Sequence, residues 1–179
     1  MLRGNYAAKI DDKGRLKIPN AFRSLIEGQH GKEVFVTSLT GESVRIYPMP
    51  VWMALEEKLA AVPSTHPARL KFFDRVNYYG QTAEFDIQGR VLIHPRLRES
   101  AGMAGEVDVF GTLDYLDVWN HERFVSKMQR EPFTDDDARA LSEFGIRRHG
   151  DRTASRTGHG RGNHGVRCRT LTARAHRRR

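Results

Sequence analysis

The chain has 179 residues, one cysteine and a formal net charge of +8 at pH 7, and this length is typical of one or two small domains. It contains no run of about 18 apolar residues, so no membrane-spanning helix is expected, and the lone Cys168 excludes a disulfide framework and a thiolate zinc site and suits a reducing cytosol. The charge is uneven, because residues 146–179 hold 11 arginines and one acid whereas residues 1–145 hold 19 basic and 21 acidic side chains. Bulk charge therefore does not identify a nucleic-acid binder, and the argument depends on local charge.

The N-terminal segment predicts a hairpin followed by a short helix. Residues 6–11 and 15–18 have the composition of strands, and the Asp-Lys-Gly turn between them places glycine where a positive φ is needed. Pro19 is expected to open a helix over residues 20–26, since proline fits the first helical turn, and Gly28 is expected to end it. Two further strands are predicted, over residues 33–39 and 43–48.

The second half of the chain repeats the first. Residues 83–93 match residues 8–18 at a constant offset of 75, with identical Ala, Asp, Gly, Arg and Ile. The offset falls to 72 after the fourth strand begins, because the first copy has a longer turn near residues 40–42. A period this long indicates one supersecondary unit used twice. The predicted elements of the second copy are strands over residues 84–86, 90–93, 106–113 and 115–120 and a helix over residues 95–101.

Helices are predicted to follow each copy and to join the two. They cover residues 50–62, 68–79, 121–129 and 134–144, and the last begins with Thr134 and three acids, which favour a helix N-terminus. The predicted fold class is therefore α+β, mainly β. The predicted domains are 5–51 and 81–124 for the two repeats, 52–80 for a helical connector, 125–145 for C-terminal helices and 146–179 for a disordered arginine-rich tail. Two interpretations of that tail stay open, nonspecific binding to polyanions and GC-rich DNA translated out of frame.

The strongest local charge of the body lies in residues 1–23, where six basic side chains face two acids. Strand alternation puts Arg15 and Lys17 on one face of their strand. A two-stranded ribbon fits the major groove of DNA, and the planar arginine fork suits phosphate or guanine edges. The second copy retains only the arginine, Arg90, because Glu84, Gln88 and Leu92 replace the lysines. The candidate DNA-contacting residues are Arg15, Lys13, Lys17, Lys9, Arg3 and Arg90.

The repeated Asp-x-x-Gly-Arg motif has a structural interpretation beside the functional one. The aspartates are expected to accept backbone N–H groups of their turns and to pair with the arginines, and the glycines to supply positive φ. The residues assigned to this structural motif are Asp11, Gly14, Asp86 and Gly89. For the lysines, the alternative to DNA contact is an ordinary solvated face.

Three segments resemble the MraZ family of bacterial regulators, which is built from two SpoVT/AbrB-like swapped-hairpin domains. They read RGNYAAKIDDKGRLKIPNAFR from residue 3, DIQGRVLIHPRLRESAG from residue 86 and LDYLDVWNHERF from residue 113. The family's D-x-x-x-R motif falls on Asp11 with Arg15 and on Asp86 with Arg90. The resemblance covers about residues 1–145 and departs from the family in the tail and at His94, where proline is common.

The resemblance implies a tandem swapped-hairpin barrel with pseudo-twofold symmetry and a transcriptional regulator of the division and cell-wall gene cluster. It also implies a repressor of its own operon that binds short direct repeats of double-stranded DNA as a ring-like homo-oligomer, in the cytoplasm and on the nucleoid. Independently, a unit of about 45 residues is too small to bury a convincing core alone. Because only one copy is strongly basic, several chains side by side would raise the affinity for DNA.

Other classes of function are not supported by the sequence. It has no G-x-S-x-G, H-E-x-x-H or P-loop motif, so we expect no enzyme, cofactor, metal or small-molecule substrate, and no apolar segment near the N-terminus predicts a secretory signal. The spaced glycines of residues 158–165 follow no strand, His159 and His164 fit a solvated segment better than a metal site, and Asp135–Asp137 fit a helix N-terminus. The alternative function is an AbrB-like protein-interaction module or antitoxin that binds through its tail, against which the scarcity of aliphatic residues in the tail argues.

Overall fold

The computed structural model describes residues 1–146, which form an α+β structure of eight strands and six helices. The strands are β1 (Leu2–Lys9), β2 (Arg15–Lys17), β3 (Glu33–Thr37), β4 (Val44–Pro48), β5 (Gln81–Glu84), β6 (Arg90–Leu92), β7 (Glu106–Leu113) and β8 (Tyr115–Asn120). The helices are α1 (Asn20–His30), α2 (Met49–Ala60), α3 (Pro67–Tyr79), α4 (Pro95–Ala101), α5 (His121–Arg130) and α6 (Asp135–Glu143). One compact unit spans Met1–Pro132 and holds both repeats, and α6 belongs to a second unit that begins at Phe133.

The strand order is a palindrome. A six-stranded antiparallel sheet runs β1-β7-β8-β4-β3-β5, and β2 and β6 form a separate two-stranded ribbon. The counterparts in the two copies are β1 and β5, β2 and β6, β3 and β7, and β4 and β8. Exchanging each strand of the sheet for its counterpart gives the same order, read from the opposite edge. The pairings are symmetric about two residue pairs, Leu16 with Val91 and Arg45 with Asp117. A pseudo-twofold axis therefore relates the two copies.

The two copies exchange strands. Instead of pairing with β2, β1 pairs with β7 of the second copy, and β5 pairs with β3 of the first. The locally paired hairpin expected over residues 6–18 is therefore wrong, since β1 and β2 keep only the isolated bridge from Ile10 to Leu16. The tight turn itself is present, and it delivers the chain from the large sheet to the ribbon. This exchange agrees with the swapped hairpin that the family resemblance implies.

The exchange gives both copies one common core. Nineteen buried residues contributed by both repeats form a single cluster. Its centre includes Leu16 and Val91 of the ribbon, both fully shielded from solvent. Because burying an aliphatic side chain stabilises a fold by about 1.5–3 kcal/mol, the inner face of the ribbon is anchored firmly. A second cluster packs α2 and α3 onto the sheet through Tyr47, Trp52 and Val76.

Several boundaries differ from the sequence predictions. Helix α1 does not end at Gly28 but continues to His30, where Gly31 takes a φ of 85°. The predicted strands that begin at Tyr6 and Glu84 begin earlier, at Leu2 and Gln81. In both cases the additional residues pair with a strand that is distant in the sequence. Strands β7 and β8 and helix α4 have the predicted bounds.

Helix α6 has the predicted start. The Thr134 side chain accepts the backbone N–H of Asp137, and the Asp137 carboxylate accepts the backbone N–H of Thr134, which forms a reciprocal capping box. Asp135–Asp137 are thus part of a helix N-terminus, as expected. No helix within residues 1–146 is both long and apolar enough to cross a bilayer. The predicted tail lies outside the described residues, apart from Ile146.

Candidate nucleic-acid interface

The β2–β6 ribbon gathers basic side chains from both copies on its outer face. Arg15 lies opposite Leu92 and Lys17 opposite Arg90, while Leu16 and Val91 between them point into the core. Because side chains alternate along a strand, the outer face carries three cations and one leucine. The sequence predicted the alternation, but it assigned the ribbon to one copy.

The first turn holds Arg15 in place. Asp11 Oδ1 accepts the backbone N–H groups of Lys13 at 3.0 Å and Arg15 at 2.9 Å. Asp11 Oδ2 accepts Arg15 Nε at 2.8 Å and lies 2.7 Å from Arg15 Nη2. The Arg15 side chain and then its backbone N–H hold the pKa of the Asp11 carboxyl below its usual value. Gly14 closes the turn with a φ of 79°, the left-handed region that glycine tolerates.

The second turn repeats this geometry. Asp86 Oδ1 accepts the backbone N–H groups of Gln88 and Arg90, each at 2.9 Å, and Asp86 Oδ2 accepts Arg90 Nε at 2.7 Å. The backbone N–H and then the side chain of Arg90 lower the pKa of Asp86 to about 2. Arg90 Nη1 also lies 3.9 Å from Asp11 Oδ2, which links the two turns. The contacts expected around both aspartates are thus present.

Asp11 contacts the Nε side of the Arg15 guanidinium and leaves its terminal edge free. A guanidinium has five N–H donors, and Asp11 engages Nε and one edge of Nη2. The terminal edge formed by Nη1 and Nη2 has no partner among the described residues, and 30% of the Arg15 side chain is exposed. An arginine fixed in this way can donate two parallel hydrogen bonds to a guanine edge or a phosphate without losing its support.

The lysines are the freer cations of the site. Lys9, Lys13 and Lys17 are exposed, and none forms an ion pair within residues 1–146. Lys13 lies on the turn, whereas Lys9 and Lys17 line one side of a cleft of about 390 Å³. Tyr6 and Asn20 are among the other residues that line it, and neither was among the candidate DNA-contacting residues predicted from the sequence. The position of Asn20 was predictable, because it directly follows Pro19 and is the first residue of α1.

Arg3 does not join this cluster. It lies on β1 opposite Thr112, six residues before Lys9, a distance of about 20 Å along an extended strand. Its guanidinium contacts the Met1 sulfur at 3.6 Å. The structure therefore brings together Lys9, Lys13, Arg15, Lys17 and Arg90 and places Arg3 apart from them.

Two further arginines support the turns from behind, each from the opposite copy. A Cβ on Gly14 would overlap the Arg98 guanidinium, and a Cβ on Gly89 would lie 2.6 Å from Arg23 Cδ. The repeat relates Arg23 to Arg98 at the same offset of 75. The sequence showed that they match, but only the strand exchange explains why each faces the other copy's turn.

The chemistry of the site is that of anion recognition. Among the described residues, no group of three or more His, Cys, Asp or Glu side chains is placed to hold a metal ion. His94, where the sequence departs from the family pattern, caps α4 by accepting the backbone N–H of Arg96 at 3.2 Å. The arrangement presents two guanidinium groups oriented by aspartates, with exposed ammonium groups on and beside a two-stranded ribbon.

Comparison with known proteins gives consistent results. A family model described as "MraZ protein, putative antitoxin-like" matches residues 1–74 and 80–144. A protein of Acidobacterium capsulatum named transcriptional regulator MraZ is 50% identical over 146 residues, which cover 82% of this chain and all of that protein. Proteins of the same name from Koribacter versatilis and Thermomicrobium roseum are 48% and 34% identical, over 82% and 72% of this chain and 100% and 88% of their own lengths.

Proposed function

The chain belongs to the MraZ family, whose relatives reported above are named transcriptional regulators and not enzymes, and we propose that it binds DNA and regulates transcription through the β2–β6 ribbon. The finer proposal is a repressor of its own division and cell-wall operon. It binds short direct repeats of double-stranded DNA as a ring-like homo-oligomer, in the cytoplasm and on the nucleoid.

The observation that carries the proposal is the oriented Arg15 flanked by unpaired lysines. A side chain that reads a base edge must be fixed in advance, because each immobilised side chain reduces the entropy lost on binding. Asp11 provides this fixation and leaves the end of the guanidinium open. Phosphate contacts need charge but little geometry, which suits the flexible Lys9, Lys13 and Lys17.

The two copies contribute unequally to this surface. Arg90 has the same support from Asp86 as Arg15 has from Asp11, but its flanking positions are acidic, neutral or apolar. We therefore assign Arg90 a secondary contact and Arg15 the principal one. A single basic half-ribbon per chain favours binding by several chains to several repeats, because each bound chain raises the effective concentration of the next.

A gel-shift titration of the full-length chain tests the proposal. The probes are a DNA fragment carrying the direct repeats upstream of the chain's own operon and a scrambled fragment of equal composition, each at 50 and 200 mM salt. Specific complexes bind at least about 10³-fold more tightly than nonspecific ones at physiological salt, so we expect only the repeat-containing fragment to shift at 200 mM. Equal affinity for both fragments would refute sequence-specific regulation.

The description of the matching family model favours a second candidate, an antitoxin-like protein-interaction module. Such a module would depend on residues 146–179 for its partner. Deleting these residues separates the two functions, because the DNA-binding proposal expects specific binding by residues 1–145 to persist. Loss of the specific shift on deletion would contradict the assignment of specific DNA binding to the β2–β6 ribbon.

A further inference from the structure

We propose that Asn20 is a base-reading residue, and that the cleft beside the β2–β6 ribbon takes one adenine–thymine pair of the bound duplex. Asn20 lines this cleft together with Lys9 and Lys17. The inference deepens the proposed function and rests on it, because it adds a second point of sequence readout to the one assigned to Arg15.

The cleft combines apolar and cationic groups. Its volume is about 390 Å³, and Ala7, Ala8 and Pro19 are among the small apolar residues that line it. Lys9 of β1 and Lys17 of β2 line the same cleft and are exposed. In the major groove, small apolar side chains contact the thymine methyl group, and lysines bind the neighbouring phosphates. The surface therefore complements a base pair that carries a methyl group and lies close to the DNA backbone.

The tyrosine that lines the cleft is fixed by the core. The Tyr6 ring packs edge-on against Phe22, with ring centroids 5.0 Å apart, and Phe22 is only 2% exposed. Because Phe22 belongs to α1, this contact ties β1 to the helix that begins at Asn20. The cleft is thus preformed, and a preformed surface loses less entropy when a ligand binds.

Asn20 is fixed at its backbone and free at its side chain. The backbone oxygen of Pro19 accepts the N–H groups of Phe22 and Arg23, each at 2.9 Å, which fixes the first turn of α1. The Asn20 side chain is exposed, and its amide forms no hydrogen bond within residues 1–146. A carboxamide carries a donor beside an acceptor, and this pair matches N7 and N6 of adenine. Asn20 can therefore make a bidentate contact with adenine without breaking an existing hydrogen bond.

Asn20 is within reach of the DNA site assigned to Arg15. It follows Arg15 by five positions, so the two Cα atoms are at most about 17 Å apart. Successive bases of a strand are about 3.4 Å apart along the duplex axis, so this distance spans about five base pairs. Arg15 and Asn20 can therefore contact the same short repeat.

The second copy has no equivalent of this cleft. At the offset of 75, its two lysine positions are Glu84 and Leu92. Asn20 corresponds to Pro95, whose side chain has no hydrogen-bonding group. The second copy therefore lacks both the cations and the carboxamide. The readout assigned to Asn20 belongs to the same copy as the basic turn, which supports a role in DNA recognition over a role in the fold.

The first experiment selects binding sites from a library of duplexes with a randomised segment, using the full-length wild-type chain and Asn20→Ala. We expect the wild-type chain to recover a motif that contains a strongly preferred A·T pair. The variant should recover the same motif with the preference at that pair reduced about tenfold, which is within the range for a lost bidentate contact. Gln29→Ala is the matched control, because Gln29 is an exposed amide near the other end of α1 that does not line the cleft.

The second experiment separates base reading from a general loss of affinity. Gel shifts compare a fragment carrying the selected motif with a fragment in which the A·T pair is changed to G·C. The change should weaken binding about tenfold for the wild type and for Gln29→Ala, but only about twofold or less for Asn20→Ala, because the contact is already lost. Circular dichroism shows that each variant is folded, and alanine is favourable in a helix.

Three outcomes would overturn the inference. They are a wild-type motif without a preferred A·T pair, an unchanged motif for Asn20→Ala, and an Asn20→Ala variant that binds more weakly but retains the full difference between the two fragments. The last outcome would make Asn20 a phosphate contact. In all three cases the wild-type chain still selects a motif, so the proposed function stands. A wild-type chain that selects no motif refutes the proposed function and this inference with it.

Discussion

Arg98 lies directly against Gly14, although the two residues belong to different copies of the repeat. The guanidinium occupies the space that a Cβ on Gly14 would need, and Arg98 Nε is buried without a hydrogen-bond partner. The first turn, which supports Arg15, is therefore backed by a cation from the opposite copy. The position of this turn depends on the strand exchange as well as on its own residues.

Substitution of Gly14 should therefore destabilise the folded state by more than the strain of its positive φ alone predicts. We expect Gly14→Ala to lower the free energy of unfolding by about 1 kcal/mol or more from the positive φ, with an additional loss from the displaced Arg98. Gly105→Ala is the control, since Gly105 has a φ of 74° but an open environment. Urea denaturation of the two variants measures the difference, and equal losses would show that Arg98 yields without cost.

Arg15 and Arg90 provide a matched pair for testing the DNA site. Each loses the same type of aspartate pair when replaced by alanine, so their effects on stability should be similar. We expect Arg15→Ala to abolish specific binding, because each chain then loses a bidentate contact worth about 1–3 kcal/mol of discrimination. Arg90→Ala should act less. Gel shifts at constant salt compare them. An Arg15→Ala chain that binds the repeats as the wild type does would show that the site is misassigned.

The lysines should affect affinity and its salt dependence together. Each phosphate contact contributes about 0.9 to the slope of log K against log salt, so Lys17→Ala should reduce the slope by about one and weaken specific and scrambled DNA equally. Lys13→Ala should also weaken binding. Lys71→Ala, an exposed lysine on α3, is the control. An unchanged slope for Lys17→Ala would remove this lysine from the interface.

Acid should weaken the fold through Asp86. Its pKa is lowered from 3.8 to about 2 by the Arg90 backbone and side chain, so the unfolded chain binds the proton more tightly than the folded one. The stabilisation is therefore fully present above about pH 4 and is lost as the pH falls to about 2. We expect Asp86→Asn to flatten the decline of the urea midpoint across this range. The Asp12 side chain accepts no hydrogen bond within residues 1–146, and Asp12→Asn should decline as the wild type does.

Much of the fold could be predicted because its signals are local. Alternation and turn residues predicted β7 and β8 with correct bounds, and Pro95 predicted the start of α4. Pairing partners are not a local property, so the sequence alone suggested that residues 6–18 form one hairpin. Gly28 was wrongly expected to end α1, because a glycine costs a helix only about 1 kcal/mol and Gly31 supplies the actual stop.

The candidate site was predictable to a similar extent. The spacing of four residues between Asp11 and Arg15, repeated at Asp86 and Arg90, predicted both ion pairs. The position of Arg98 behind Gly14 and the approach of Arg90 to Asp11 depend on the other copy. No pattern within one repeat contains that information, and the separation of Arg3 from the lysines follows only from the length of β1.

A chain with a single repeat would have to exchange β1 and β3 with a twin, and every side chain would then occur on both sides of the axis. Joining the repeats covalently removes this constraint. Positions 9, 13 and 17 are lysine, whereas 84, 88 and 92 are Glu, Gln and Leu, an inequality that no symmetric homodimer can have. A ribbon with unequal halves has a polarity, so its two ends are chemically different. If the ribbon binds DNA as proposed, this polarity suits a site without twofold symmetry, whereas an exactly symmetric dimer would suit a palindrome.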